Sequence, residues 1–439
     1  MDRRGKVDWP PSSACFFREE VTLKQWTENL GANRVVLALS IARMSDALGN
    51  SILFIAIPLY VAQLPAPLFA RVPDSVLVGA LISLYGLLFS GLQPLTGAIS
   101  DRMSRRKPFI MIGLFIMGLG TLSYVLATRY VDLVFIRIIQ GVGVAVTVPA
   151  ALALMATASE HETRGGSMGI YTTLRMVGFA IGPLISGFLQ ITYGFNAVFI
   201  TGSAFLFLAV ILVQIMVNEE PVDVRAVRAQ PLRIIDPEVF TKELIALGAA
   251  MFLMASAFTM ITTLEPQFNS RLDQTALGFG IAFSALTFAR LLFQIPLGRL
   301  SDRIGRKPPI IAGLLLMAPV TALLGVAATT LQLTGLTAMQ GIASAAIAAP
   351  GFALAADLSR RGGEGRQMSL MAMGFGFGIA IGPLIAGVLA VYSFALPFVV
   401  GGVLCVVGAW IVYHYVPETI MKGHPHPRPT VSQHPSAAD

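Results

Sequence analysis

The residues best suited to chemistry lie inside the first long apolar run of the chain. Arg43, Asp46 and Asn50 are three and four residues apart, so on an α-helix their side chains share one face. Counted from Val35, Asp46 lies eleven residues into the run, which is about 16 Å at the α-helical rise per residue. A carboxyl group that deep in an apolar segment needs a cationic partner, either Arg43 or Arg137. We expect Asp46 to bind and release a proton; the alternative is a permanent ion pair that never titrates.

The elements that must hold these side chains are apolar segments of membrane-spanning length. Hydrophobic residues make up 55% of the 439-residue chain and charged residues 13%, whereas soluble proteins are about a quarter charged. The mean hydropathy is +0.73. Twelve segments approach the ~20 residues that cross a bilayer core, at 35–63, 76–99, 109–129, 132–158, 167–192, 196–217, 243–264, 276–300, 309–328, 331–358, 367–391 and 396–416. We therefore expect an all-α membrane protein, with no nucleic-acid partner behind its formal charge of +7.

The basic residues predict which side of the membrane each loop occupies. Most of the 31 Lys and Arg lie in segments on the side of the N-terminus, whereas the loops of the other side hold only Arg71, Arg129 and Arg271. Cytoplasmic loops carry the excess of Lys and Arg in membrane proteins. We therefore expect both termini in the cytoplasm and the chain in the cell (plasma or inner) membrane.

A short basic loop occurs twice, 201 positions apart, and each copy ends a long apolar run. Pairs such as Gly182-Pro183 and Gly382-Pro383 extend the repeat. It predicts two related six-helix halves, 35–217 and 243–417, between a cytoplasmic segment 1–34, a cytoplasmic linker 218–242 and a disordered tail 418–439. The residues of interest in the loop are Gly97, Asp101, Arg102, Arg105 and Arg106 in the first copy and Gly298, Asp302, Arg303 and Arg306 in the second.

This loop resembles the signature loop of the major facilitator superfamily, G-x-x-x-D-R-x-x-R-R/K, which lies between the second and third helices and recurs between the eighth and ninth. The resemblance implies the major facilitator fold, twelve transmembrane helices in two pseudo-symmetric halves with the substrate site between them. It also implies that Asp101 contacts the N-terminal end of the eleventh helix and holds the inner side closed, with Asp302 repeating the arrangement. The alternative is that the cations only set topology.

The fifth span carries a second pattern, formed by Gly169, Gly178, Gly182-Pro183 and Gly187. It resembles the antiporter signature of the family's exporters, G-x8-G-x3-G-P-x2-G-G, with Ser186 in place of one glycine. The resemblance favours export over uptake. The alternative is an ordinary helix interface of small residues.

Further candidates lie in other spans. Arg137 and Gln140 resemble the family's fourth-helix pattern R-x-x-Q-G, which is linked to proton handling in proton-coupled members. Glu265, at the outer end of the seventh span, is the second candidate acid, and we expect it to face outer solvent. Arg175 fits no pattern that we recognise, and Arg290 has either an anionic substrate or another protein group as its partner. Residues expected to line the substrate cavity are Asn50, Gln140, Arg290 and Gln340.

These patterns predict a secondary transporter that exports small apolar or amphipathic compounds in exchange for protons. It is expected to be a monomer among membrane lipids, driven by a proton gradient, with no cofactor and no bound metal. A proton-coupled or facilitative carrier for sugars or organic anions is the alternative. A membrane-embedded enzyme is disfavoured because no loop contains a catalytic cluster.

Overall fold

The computed structural model describes residues 33–158, 164–219, 221, 241–358 and 364–418. Within these ranges the regular structure is helical. Apart from residues 33–34 and 418, the predicted N-terminal segment and tail lie outside the described residues, and so does most of the predicted linker.

Twelve helices are long and apolar enough to cross a membrane. They are α1 Arg34–Val61, α2 Asp74–Asp101, α3 Lys107–Ser123, α4 Tyr130–Ala158, α5 Arg164–Tyr193, α6 Phe195–Met216, α7 Lys242–Thr263, α8 Ala276–Ile304, α9 Lys307–Leu324, α10 Thr330–Asp357, α11 Glu364–Ala390 and α12 Leu396–Tyr415. A short helix, Glu265–Arg271, lies between α7 and α8. The twelve predicted spans are confirmed to within a few residues at each end, and so is the all-α fold.

Polar side chains set the start of several helices. The Asn33 side chain accepts a hydrogen bond from the Val36 amide (2.8 Å) and begins α1. Thr241, Thr275 and Thr329 cap α7, α8 and α10 in the same way. These caps satisfy amide groups that have no partner within the helix.

The helices form two six-helix halves, α1–α6 and α7–α12, each with a buried apolar cluster toward either end. Within the first half α1 packs on α5 and α6, and within the second α7 packs on α11 and α12. Two helix pairs carry most of the packing between the halves, α2 with α11 and α5 with α8. We call the end of the bundle that holds the two basic loops the basic end, and the other the opposite end.

Two glutamates repeat at the basic end. The Glu219 carboxylate accepts hydrogen bonds from the amides of Arg106 and Lys107 at the start of α3 (2.6 and 2.7 Å). Glu418 accepts the equivalent two bonds at the start of α9 (3.0 and 3.0 Å). A carboxylate is favourable there because a helix N-terminus carries partial positive charge. Each glutamate thereby ties the chain after the last helix of its half to the third helix of that half.

Candidate functional site

The polar face of α1 forms a compact buried cluster. Arg43 donates a hydrogen bond to the Asp46 carboxylate and forms an ion pair with it. The Asn50 amide donates to the other Asp46 oxygen (2.7 Å). Asp46 is 3% exposed, and the Arg43 guanidinium lies 5.9 Å from the ring centre of Tyr171. The three residues therefore share one face as predicted, and Arg43 is the cation that pairs with Asp46.

Arg137 has different partners. Its guanidinium donates to the Gln140 side-chain oxygen (3.3 Å) and lies 5.2 Å from the ring centre of Tyr85. Gln140 also accepts a hydrogen bond from the Tyr124 hydroxyl (2.9 Å) and donates to Thr121 (2.8 Å). These contacts place Arg137 in a network inside the first half.

The two glutamines of the repeat do not reach the surface of a cavity. Gln140 and Gln340 are each 1% exposed. Gln340 donates to Thr321 (3.3 Å) and to the Ala257 carbonyl (3.4 Å) inside the second half. The structure thus corrects the expectation that they line the substrate site: each holds helices together within its own half.

Glu265 is fully buried, at 0% exposure, so the expectation that it faces outer solvent is wrong. The short helix that it begins is held inward by Phe268, whose ring packs against three other phenylalanine rings. Neither carboxyl oxygen has a hydrogen-bond partner among the described residues. Burial raises the pKa of Glu265 well above its usual range. Burial therefore favours the protonated form of Glu265 in this conformation.

The glycines of α5 make two kinds of contact. A Cβ atom at Gly178 would lie 2.5 Å from the Met44 carbonyl oxygen, and one at Gly182 would lie 1.9 Å from the Ser51 hydroxyl, so both pack on α1. Gly187 instead packs on α8 of the other half, where a Cβ would lie 2.6 Å from the Leu277 Cα. Gly169 has open space around it. In α11, Gly378, Gly382 and Gly387 repeat the pattern against α7 and α2.

The halves are joined at the opposite end. The Ser75 hydroxyl donates to the Gly387 carbonyl (2.9 Å), and the Leu384 amide donates to the Ser83 hydroxyl (3.0 Å). These two are the hydrogen bonds between the halves among the described residues. Gly280 adds a close approach, since its Cβ would lie 2.6 Å from the Pro183 carbonyl oxygen. The opposite end is thus the closed end of the bundle in this conformation.

The residues of the basic loops pack within their own halves. Arg306 pairs with Asp302 (2.7 Å) and with Asp357 (2.6 Å), which links α8, α9 and α10. Gly97 of α2 lies close to α4, and Gly298 of α8 lies close to α10. Arg105 and Arg303 are exposed, whereas Arg102 and Arg106 are partly buried. The Asp101 side chain and the side chains of the first turns of α11 lie outside the described part, so their contact stays a prediction.

Aromatic rings fill the centre of the bundle where the halves meet. Phe54 of α1 packs against Phe179 of α5, Phe258 of α7 and Phe283 of α8, with ring centres 5.8–6.1 Å apart. We call these four rings the phenylalanine cluster. The Arg175 guanidinium lies 5.0 Å from the ring centre of Phe179, on its basic-end side along α5. Single phenylalanines in apolar helices carry no positional pattern, which is why the sequence did not reveal this cluster.

The chain is similar over most of its length to known proteins. The family profile described as Major Facilitator Superfamily matches residues 39–278 and 247–436. The multi-drug resistance efflux pump PmrA of Streptococcus pneumoniae serotype 4 is 26% identical over 328 residues, which cover 71% of this chain and 79% of PmrA. The multidrug resistance protein MdtG of Klebsiella pneumoniae is 26% identical over 356 residues, covering 78% of this chain and 84% of MdtG.

A solved structure shows the same fold. It is a bacterial homologue of the human lysosomal transporter Spinster, in an inward-facing and occupied conformation. The TM-score is 0.70 at 16% identity, covering 86% of this chain and 95% of that chain.

Proposed function

Since the chain belongs to the Major Facilitator Superfamily, we propose that it exports small apolar or amphipathic compounds in exchange for protons, by alternating access between its two halves. The chain is a multi-pass membrane transporter of small molecules, not an enzyme. We also propose that it lies in the plasma membrane with the basic end in the cytoplasm, as the distribution of Lys and Arg predicts.

The observation that carries proton coupling is the buried Asp46–Arg43 pair in α1. Among the acidic residues of the spanning helices, Asp46 lies far from both helix ends. Arg43 balances its charge, and the Asn50 amide donates a hydrogen bond to it. Protonation of Asp46 removes the attraction that holds Arg43, so loading and release of a proton changes the charge of the site. Proton movement is coupled to the binding of a second solute when that solute binds one charge state of the site more tightly than the other.

Glu265 supplies the second titratable group, near the closed opposite end. While that end is closed, the carboxyl group of Glu265 is buried without a hydrogen-bond partner among the described residues, and this environment favours its protonated form. Opening the end to outer solvent allows the carboxyl group to ionise. Proton binding from outside therefore favours closure of the outer side, which is the step that an exporter needs after it has released its compound.

Export rather than uptake is supported by the glycine pattern of α5. Gly178 and Gly182 bring α5 against α1, and Gly187 brings it against α8. The same helix therefore packs both on α1, the helix that holds Asp46, and on α8 of the other half. Two relatives described as drug efflux or resistance proteins, PmrA and MdtG, support the same direction.

The test uses purified protein in proteoliposomes with an imposed pH gradient and two dyes that share one apolar body. N-phenyl-1-naphthylamine is neutral, and 8-anilinonaphthalene-1-sulfonate is its anionic counterpart. We expect the pH gradient to drive transport of at least one dye, and we expect Asp46→Asn to abolish this gradient-driven transport. Asp273→Asn is the matched control, because Asp273 is exposed and has the left-handed backbone (φ 49°) that asparagine tolerates. Gradient-driven transport that survives in Asp46→Asn would refute the role of Asp46, and no driven transport in the wild type would refute the function.

A further inference from the structure

Positive charge exceeds negative charge inside the bundle. Four arginines, Arg43, Arg137, Arg175 and Arg290, lie well inside spanning helices, whereas Asp46 is the one carboxylate at comparable depth. Asp46 is already paired with Arg43. The interior therefore holds guanidinium charges that no described carboxylate balances.

Of these four arginines, Arg175 and Arg290 have no polar partner among the described residues. Neither makes a hydrogen bond or ion pair with any described residue, and the Nε atom of each is buried without an acceptor. Arg137, by contrast, donates to Gln140. An unpaired charge in an apolar interior is costly and usually marks a binding site.

The two arginines come from opposite halves. Arg175 lies near the middle of α5 and Arg290 near the middle of α8, the helices that pack against each other across the interface. Gly187 packs on Leu277 and Gly280 packs on Pro183, so α5 and α8 run antiparallel. Continuing this register toward the basic end places Arg175 opposite the turn of α8 that holds Arg290. Because like charges repel, a single anion between the two guanidinium groups would stabilise both.

The surroundings define what kind of anion fits. Arg175 lies against Phe179, one of the four rings of the phenylalanine cluster that joins the halves. A guanidinium group donates two parallel hydrogen bonds to carboxylate, phosphate or sulfonate oxygens. The aromatic rings beside it offer an apolar surface for the rest of the ligand.

Resting on the transport function proposed above, we propose that Arg175 and Arg290 form an anion subsite between the halves, and that the preferred substrates are amphipathic organic anions. The acidic group lies between the two guanidinium groups and the apolar body contacts the phenylalanine cluster. The same chemistry would also bind the headgroup of an anionic membrane lipid.

The experiment measures dissociation constants by dye fluorescence with purified protein in neutral detergent. The probes are the matched pair 8-anilinonaphthalene-1-sulfonate and N-phenyl-1-naphthylamine, and the readout is the ratio of their Kd values. We expect Arg175→Gln and Arg290→Gln each to weaken binding of the sulfonate, relative to the neutral dye, by about tenfold or more. Arg290→Lys keeps the charge but loses the paired donors, so it falls between the wild type and Arg290→Gln.

Arg271→Gln is the control, since Arg271 is an exposed arginine at the opposite end that contacts Phe394. We expect it to keep the wild-type ratio. A wild type without preference for the sulfonate would overturn the proposal. So would unchanged ratios in both Arg175→Gln and Arg290→Gln, with monodisperse protein as evidence of folding.

Lipid nanodiscs separate the two sources of the anion. If lipid headgroups fill the subsite, added phosphatidylglycerol weakens sulfonate binding more in the wild type than in Arg290→Gln. If the subsite serves the transported compound, both proteins respond equally to the lipid. Either result supports an anion subsite. Only an equal response of the two proteins supports amphipathic organic anions as the transported substrates. Arginine-dependent binding without gradient-driven transport of either dye would leave the subsite standing and refute the transport function instead.

Discussion

Replacing Gly187 with alanine should open the opposite end of the bundle. Gly187 of α5 faces α8 of the other half, and a Cβ atom there would lie 2.6 Å from the Leu277 Cα and 2.7 Å from the Ala276 carbonyl oxygen. Nonbonded heavy atoms prefer separations of about 3.5–4.0 Å. Both obstructing atoms belong to the backbone, so the two helices must move apart by roughly 1 Å.

The cost falls on one conformation only. Overpacking of this kind typically costs about 1–3 kcal/mol. Since α5 and α8 belong to different halves, the strain disappears when the halves separate at this end. At 1.4 kcal/mol per factor of ten, the population with the opposite end open should rise by roughly 5- to 150-fold relative to the closed one.

Double electron–electron resonance gives the measurement. Spin labels at Leu126 and Leu331, which are 80% and 82% exposed on opposite halves, report the distance across the opposite end in a background without native cysteines. We expect Gly187→Ala to add a longer distance. Gly169→Ala is the matched control, because it makes the same substitution in the same helix with nothing within 4 Å. Equal distance distributions in the two variants would refute the packing argument.

Three further predictions concern charge. Because protonation of Glu265 favours the closed opposite end, raising the pH should lengthen the distance between the same two labels, and Glu265→Gln should remove this pH dependence. Glu219→Gln should lower the melting temperature in a thermal unfolding assay, since the contact with a helix N-terminus is worth about 0.3–2 kcal/mol, and Glu418→Gln should lower it less because Glu418 is more exposed. Asp101→Asn should raise the labelling of cysteines placed in the cavity by a reagent added at the basic end. Asp302→Asn should change this labelling little, since an exposed ion pair such as Asp302–Arg306 contributes little stability. Equal labelling in Asp101→Asn and the wild type would show that the loop sets topology only.

Helix bounds and shared faces could be predicted from the sequence because they depend on local patterns. Length and hydropathy located all twelve spans, and helical spacing placed Arg43, Asp46 and Asn50 on one face. The repeat that pairs Gly182-Pro183 with Gly382-Pro383 also aligns Gly187 with Gly387, and the structure shows matching contacts of these two glycines with α8 and α2.

Contacts that depend on which helices are neighbours could not be predicted in the same way. Gln140 and Gln340 were expected at the cavity, but hydroxyl groups on adjacent helices hold them in the interior of their own halves. Glu265 was expected in solvent because it follows a span, yet the short helix turns it inward. Glu219 lies more than one hundred residues from the amides that it caps, and no local pattern shows that contact.

The most direct test of proton exchange measures protons rather than dye. Proteoliposomes are loaded with the transported dye and a pH indicator, then diluted into dye-free buffer of equal pH. Exchange predicts that protons enter as the dye leaves, so the lumen becomes acidic in the wild type and in Asp273→Asn but not in Asp46→Asn. A lumen that keeps its pH while the dye leaves, or that becomes alkaline, would contradict the account.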